Sequence, residues 1–191
     1  MRPAVWLALS VYVGGASAPA QTRAQPAETA ADAAGKAELK SALQKRQLIG
    51  QGRLRVWGFD VYEARLWGRP GFAANDFTVQ PFELEFAYLR DLKASDIAAS
   101  SIKEMRRDQA IDDQLASKWS AELRRVIPDI KKGDRVTGIH QPGRGVAFEV
   151  NGKPSGEIAD AQFAKLFFGI WLAPNTSEPQ LRAALLAGAG G

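Results

Sequence analysis

The 191-residue sequence has no cysteine and a single histidine, His140. Without thiols there can be no disulfide, thiolate zinc site, iron–sulfur ligation or cysteine nucleophile. Without a second histidine, nothing completes a triad or a histidine metal site around His140. That residue sits on a predicted strand beside a hairpin turn, where a packing role outweighs that of a general base. Walker A, HExxH and GxSxG patterns are absent, and Gly50-x-Gly52 lacks the third glycine and the preceding strand of a dinucleotide fingerprint. Asp112 and Asp113 are adjacent, so they diverge on a helix and read as N-cap and first-turn acids rather than a paired acid/base site. The sequence therefore calls for no cofactor and no metal. No concentrated basic stripe is present either. Lys45-Arg46, Arg106-Arg107, Arg124-Arg125 and Lys131-Lys132 are isolated pairs among acidic residues, which excludes a nucleic-acid footprint. Finally, no run reaches the ~18 apolar residues that span a bilayer.

The N-terminus has the three parts of a secretory signal. Arg2 supplies the charge, Ala4 to Val13 a short apolar core, and Ala18-Pro19-Ala20 an A-x-A cleavage pattern. Release after Ala20 is favoured over release after Ala18, which would leave Pro19 first. No cysteine follows to carry a lipid. The expected location is periplasmic or secreted, with no integral membrane span after cleavage. Losing Arg2 takes the formal charge from +4 to +3 (25 Lys and Arg, less Arg2, against 21 Asp and Glu). An exported chain without cysteine must be held together by its core, and 191 residues with 46% apolar content suffice for one. Residues 21–36 are rich in Ala, Gln, Thr and Pro and read as a disordered linker. The folded domain is expected over 37–187, and a disordered tail over 188–191.

Glu38 to Gln47 suggests a short helix, with Leu39 and Leu43 on one side. Gly50 and Gly52 suggest a turn. Leu54 and Val56 alternate with Arg53, Arg55 and Trp57, a strand; Gly58 breaks it, and Phe59 to Trp67 is a second strand. Phe72 to Gln80 reads as a loop. In Phe82 to Leu89, Phe82, Leu84, Phe86 and Tyr88 share one face and Glu83, Glu85 and Ala87 the other, a half-buried strand. Helices are expected from Ser95 or Asp96 to Arg107, and over Ile111–Ile127 until Pro128 stops the second. Strands follow at Arg135–His140, Val146–Val150 and from the Asn151-Gly152 turn to Ile158. Two helices close the chain, one capped by Asp160 and one by Ser177. The order β-β-β-α-α-β-β-β-α-α segregates strands from helices. The class is α+β: an antiparallel sheet with helices on one face.

The chemically sharp stretch is Gly50 to Trp67. Arg53 and Arg55 project side by side from one strand face, where a guanidinium beside an apolar sheet would hold a carboxylate or phenolate. Tyr62 offers a hydroxyl to the same cleft, or stands as a packing residue. The plain alternative for the two arginines is a solvated strand face.

This stretch, with Phe86-Ala87-Tyr88-Leu89-Arg90-Asp91, Lys132-Gly133-Asp134, Val150-Asn151-Gly152-Lys153 and Phe163 to Leu172, resembles the chalcone isomerase-like family over residues 48 to 187, most closely its exported bacterial members. The resemblance implies an open-faced β-sandwich, an antiparallel sheet with a layer of helices on one face. It also implies that an arginine after the Gly-x-Gly turn holds a phenolate in the enzymes, or a carboxylate in fatty-acid-binding members. The arginine spacing here is one residue off, so Arg53 and Arg55 share the carry-over. The tyrosine and asparagine that plant enzymes supply from the helical layer have no counterpart in Asp112 to Arg125, where only Gln114, Ser117 and Ser120 stand. The family threonine falls near Val61. With most of the catalytic set missing, no catalytic residue is assigned. The expected function is an exported, non-catalytic binding protein for a small amphipathic acidic ligand such as a fatty acid, with Arg53, Arg55 and Tyr62 at the site. The alternatives are an intramolecular lyase or isomerase acting on a phenolic or enone substrate, and an interaction domain presenting Trp57, Trp67 and Trp171. Oligomeric state is left open.

Overall fold

Tight turns set the topology. In the first hairpin, Trp57 and Gly58 both take left-handed backbone angles (φ 49° and 84°), and Asn151 and Gly152 repeat this in the last (φ 52° and 73°). Two left-handed central residues are the signature of the two-residue turn whose twist matches flanking strands. A computed structural model describes residue 35, residue 41 and residues 45–190. The expected signal segment, most of the linker and most of the Glu38–Gln47 helix lie outside the described residues.

Among those residues, six strands form one antiparallel meander in chain order. They are β1 (Gln47–Val56), β2 (Phe59–Gly68), β3 (Phe82–Tyr88), β4 (Arg135–Gln141), β5 (Gly145–Val150) and β6 (Lys153–Ile158). A short 3₁₀ helix, Ala74–Val79, interrupts the expected loop before β3. Between β3 and β4 run α1 (Ala94–Asp108) and α2 (Asp113–Val126); after β6 come α3 (Ala161–Leu172) and α4 (Pro179–Leu185). The sheet is covered by helices on one face, the α+β open-faced sandwich expected from the element order.

Alternation decides the faces. Ala64, Leu66, Phe82, Leu84, Phe86, Val136, Val146 and Phe148 are buried toward the helices. The partners across the sheet keep that face in register, as in Leu66–Leu84–Gly138–Phe148. Helix caps follow the sequence where the acid is in place: Asp112 accepts from the Leu115 amide at 2.8 Å and Asp160 from the Phe163 amide at 3.0 Å. Asp160 also accepts from the indole of buried Trp119 at 3.0 Å, tying α2 to the start of α3. Ser177 is not the cap of α4. Glu178 holds that position with Pro179 opening the helix, and the Ser177 hydroxyl instead donates to Glu104 of α1 at 2.7 Å.

Three expectations change at the first strand and the C-terminus. Gln47 belongs to β1 and not to a helix. Gly50 and Gly52 are not a turn: both lie inside β1, neither with positive φ. Their lack of a side chain serves α4, which lies against them. A Cβ at Gly50 would sit 2.3 Å from the Ala184 carbonyl oxygen, and one at Gly52 would sit 2.7 Å from Leu181 Cδ1. The expected disordered tail is also pinned. The Gly188 amide donates to the Ile49 carbonyl (2.9 Å) and the Gly190 amide to that of Phe72 (2.8 Å), while Gly191 lies outside the described residues.

His140 is a buried structural residue. Its ring stacks on Phe82 (4.9 Å between centroids) and Nδ1 lies 2.7 Å from the Gln80 carbonyl. A carbonyl only accepts, so Nδ1 carries the proton and donates. Burial lowers the histidine pKa, and the Gln80 bond opposes the shift.

Candidate functional site

The core is not filled everywhere. Between the sheet and α1, α3 and the α3–α4 loop lies a cavity of about 310 Å³, at the lower end of the range for small-molecule sites. Leu54, Val61, Tyr62, Phe86, Tyr88 and Phe148 form its sheet wall. Ile97, Ser100, Ser101 and Glu104 of α1, Phe167, Ile170 and Trp171 of α3, and Ser177 and Glu178 beyond it form the helical wall. Val56 at the end of β1, Leu92, Ile127 and the exposed Asp96 also line it. Gly138 lends space: a Cβ there would press on the Phe168 ring at 3.3 Å.

Two phenols face one another across β2 and β3, since Tyr62 and Tyr88 are register partners with rings 5.8 Å apart. The Tyr62 oxygen accepts from the Trp171 indole at 2.8 Å. Burial raises both phenol pKa values far above the ordinary range, so both stay neutral and able to donate. For Tyr62 the Trp171 bond works against the shift, while Glu178 and Glu104 reinforce it at a distance. At Ser101 the hydroxyl is already committed, donating to the Ile97 carbonyl at 2.8 Å.

Tyr62 thus stands in the cleft, as one reading of the sequence expected. Arg53 and Arg55 do not line it. Alternation turns Leu54 inward and sends the arginines to the opposite, helix-free face of the sheet. There Arg53 binds Asp60 (2.7 Å) and Glu63 (2.5 Å), and Arg55 binds Asp60 (2.7 Å). The ladder continues from Arg65 to Glu85 (3.2 Å) and from Arg135 to Glu85 (2.8 Å). These are cross-strand pairs of opposite charge on an exposed surface. The hydrogen bonds that Arg53 donates to Glu63 and Asp60 raise its pKa further. Strict alternation along β2 would put Asp60 on the face of Tyr62. A register break between Leu54 and Arg55 brings it to the arginines.

The two arginines and Tyr62 are therefore not brought together. What sequence reasoning missed is Tyr88, Trp171 and the carboxylates of Asp96, Glu104 and Glu178. Tyr88 was legible as the last inward residue of β3, but its chemical interest comes from α1 and α3 leaving space above it. Trp171, which only the interaction-domain alternative put on a surface, is buried in the cavity wall. Of the other two tryptophans named with it, Trp57 is 94% exposed at the hairpin tip and Trp67 lies on the outer face beneath Arg46, 5.9 Å from its guanidinium.

The motifs outside the cavity are braces. Asp91 accepts from the Lys132 amide (2.9 Å) and Asp134 from that of Lys131 (2.7 Å). Asn151 donates to Asp134 (3.0 Å) and accepts from the Arg135 amide (2.9 Å). These bonds lower the pKa values of Asp91 and Asp134 and knit three turns at one end of the sheet.

The model of the chalcone isomerase-like family matches residues 27–187. The chain belongs to that family. The match begins within the segment read as linker and ends at residue 187, where the folded domain was expected to end. An uncharacterized protein of Haemophilus influenzae is 33% identical over 133 residues, covering 69% of this chain and 63% of that protein. The chain thus spans less than two thirds of that relative's length. Among solved structures, the Arabidopsis thaliana fatty-acid binding protein AtFAP1 superposes with a TM-score of 0.57 at 13% identity, covering 74% of this chain and 87% of that one. At that identity the likeness is one of fold.

In this chalcone isomerase-like chain, Val61 lines the cavity where the family threonine was expected, with no hydroxyl to offer. Among the described residues no cluster of His, Asp and Glu could hold a metal ion, and no helix is long and apolar enough to cross a membrane.

Proposed function

We propose that this chain is an exported binding protein, periplasmic or secreted, that holds the apolar part of a small amphipathic molecule between its sheet and its helices. One observation carries the reading: an apolar cavity stays open in a core that is otherwise closely packed. Native cores rarely leave room for more than a water molecule, so a void of this size calls for an occupant. Membership of the chalcone isomerase-like family and the fold shared with a plant fatty-acid binding protein support a lipid-like tail. An alkyl chain fits a wall of Leu54, Val61, Phe86, Phe148 and Ile97. Binding is the whole function in this reading, because Asp112 to Arg125 has no counterpart of the tyrosine and asparagine that plant enzymes supply, and the helical wall of the cavity offers only the hydroxyls of Ser100, Ser101 and Ser177.

The test is native mass spectrometry with lipid extraction on the mature chain recovered from the periplasm. Three proteins are compared: the wild type, Ile97→Trp to fill the cavity, and a double variant with Arg53→Ala and Arg55→Ala. The expected result is a co-purifying amphiphile in the wild type and in the arginine variant, absent from Ile97→Trp. Loss in the arginine variant alone would move the site to the outer face, and an empty wild type would defeat the carrier reading.

A further inference from the structure

The cavity's polar groups define the head of its ligand. Tyr88 is 6% exposed and lines the cavity. Its hydroxyl has no hydrogen-bond partner among the described residues, yet its oxygen is not sealed by protein atoms, so it opens onto the void. A buried hydroxyl left unpaired is unfavourable unless something else pairs it. Tyr62 has one free valence of the same kind: its oxygen accepts from Trp171, which leaves its own proton without an acceptor among the described residues. Both phenols thus have a proton to donate to an oxygen inside the cavity.

That oxygen does not belong to an anion. Among the described residues no lysine, arginine or histidine lines the cavity, so a carboxylate buried there would have no counter-charge from them. The charged groups among the described residues that do line it are acids: Asp96, Glu104 and Glu178. Glu104 is partly balanced by Arg107 at 3.5 Å. Asp96 and Glu178 have no ion-pair partner among the described residues. An ammonium head gains from these acids at the rim, but it has nothing to offer the two phenol protons and is poorly placed at the buried end.

We propose that the cavity selects amphiphiles whose head is an uncharged oxygen acceptor, an alcohol or carbonyl bonded by Tyr88, and that Asp96, Glu104 and Glu178 reject carboxylates of the same chain length. This rests on the reading of the cavity as the ligand site. The phenols recognise the head by donation, and the acid rim imposes a negative field that an anionic head has to cross.

The test is isothermal titration of the delipidated chain with three probes of one chain length: decan-1-ol, decanoate and decylammonium. The expected order places decanol first, with decanoate weaker by about 10-fold or more. Tyr88→Phe removes a partnerless hydroxyl, so it weakens decanol by about 3- to 10-fold without lowering the urea midpoint. In a chain with Asp96→Asn and Glu178→Gln, two rim changes outside the core, decanoate recovers toward decanol. Decanoate or decylammonium binding as tightly as decanol to the wild type overturns the proposal, and so does Tyr88→Phe binding decanol unchanged. Failure of all three probes overturns the carrier reading with it, whereas a clear preference for decanoate overturns only the head-group assignment.

Discussion

Replacing Gly50 by alanine tests how the first strand and the last helix are built for each other. The new Cβ would lie 2.3 Å from the Ala184 carbonyl oxygen and 2.4 Å from that of Leu185. Both obstacles are backbone, so no rotamer change relieves them, and α4 has to move or lift away. Moving it strains a packed interface by about 1–3 kcal/mol. Lifting it uncovers Leu181 and Leu185, both buried, at about 1.5–3 kcal/mol each, offset in part by the chain entropy regained. The cheaper route sets the result, and about 2–3 kcal/mol of lost stability is expected. Gly52 is the internal control. A Cβ there meets Leu181 Cδ1 at 2.7 Å and Ala184 Cβ at 3.0 Å, side-chain atoms that can shift, so Gly52→Ala costs about 1 kcal/mol. Urea unfolding gives the two midpoints. Native-state hydrogen exchange shows whether the Arg182 to Gly188 amides open before the sheet does. A seven-residue helix does not persist once undocked, and Glu178 at its start lines the cavity, so Gly50→Ala also weakens ligand binding. A Gly50→Ala midpoint within ~0.5 kcal/mol of wild type, or a Gly52→Ala loss larger than the Gly50→Ala loss, would refute the close-approach argument.

Further perturbations probe other parts of the chain. Tyr62→Phe strands the buried Trp171 indole donor and is expected to destabilise by about 1–3 kcal/mol, read by denaturation with tryptophan emission. For His140 the folded pKa lies below the unfolded value, so the unfolded chain protonates first. Its stability contribution is intact above the ordinary histidine range. As pH falls below about 6.5 that contribution is lost at up to ~1.4 kcal/mol per pH unit, until the folded pKa is passed. His140→Gln should flatten that limb in urea midpoints measured from pH 7.5 to 5, and an unchanged slope would reject the assignment. Trp57 occupies a left-handed position that favours asparagine, while 94% exposed. Trp57→Asn is therefore expected to raise stability by about 1 kcal/mol in the same assay.

The elements were legible because each carries a local signal. Alternation in Phe82–Tyr88 and the 3.6-residue stripe through Trp119, Leu123 and Val126 report which side is buried, whatever buries it. Gly58 and Asn151-Gly152 mark hairpin turns through their own backbone preferences, and Asp112 and Asp160 cap helices through neighbours three residues away. Segregated strands and helices then leave few ways to cover one sheet face, so the α+β class followed from order alone. The motifs that resemble the chalcone isomerase-like family add the scaffold, and Asp91, Asp134 and Asn151 brace its turns in this chain.

The site was less legible because it depends on distances between elements. Gly50 and Gly52 look like a turn until α4, more than 120 residues later, lies against them. Arg53 and Arg55 look like ligand-binding forks until the sheet's pairing sets Asp60 and Glu63 beside them on the uncovered face. A period-2 pattern says that Leu54 and Arg53 point to opposite sides, but only the position of the helices decides which side is the interior. The same holds for Tyr88. Its place on the apolar face is written in β3, while the open space over its hydroxyl exists because α1 and α3 stop short of filling it. Sequence determined the secondary structure, the order and the scaffold, since those rest on interactions within a few residues. Tertiary structure decided where the cavity opens and which charges meet it, because a void is set by what packs around it.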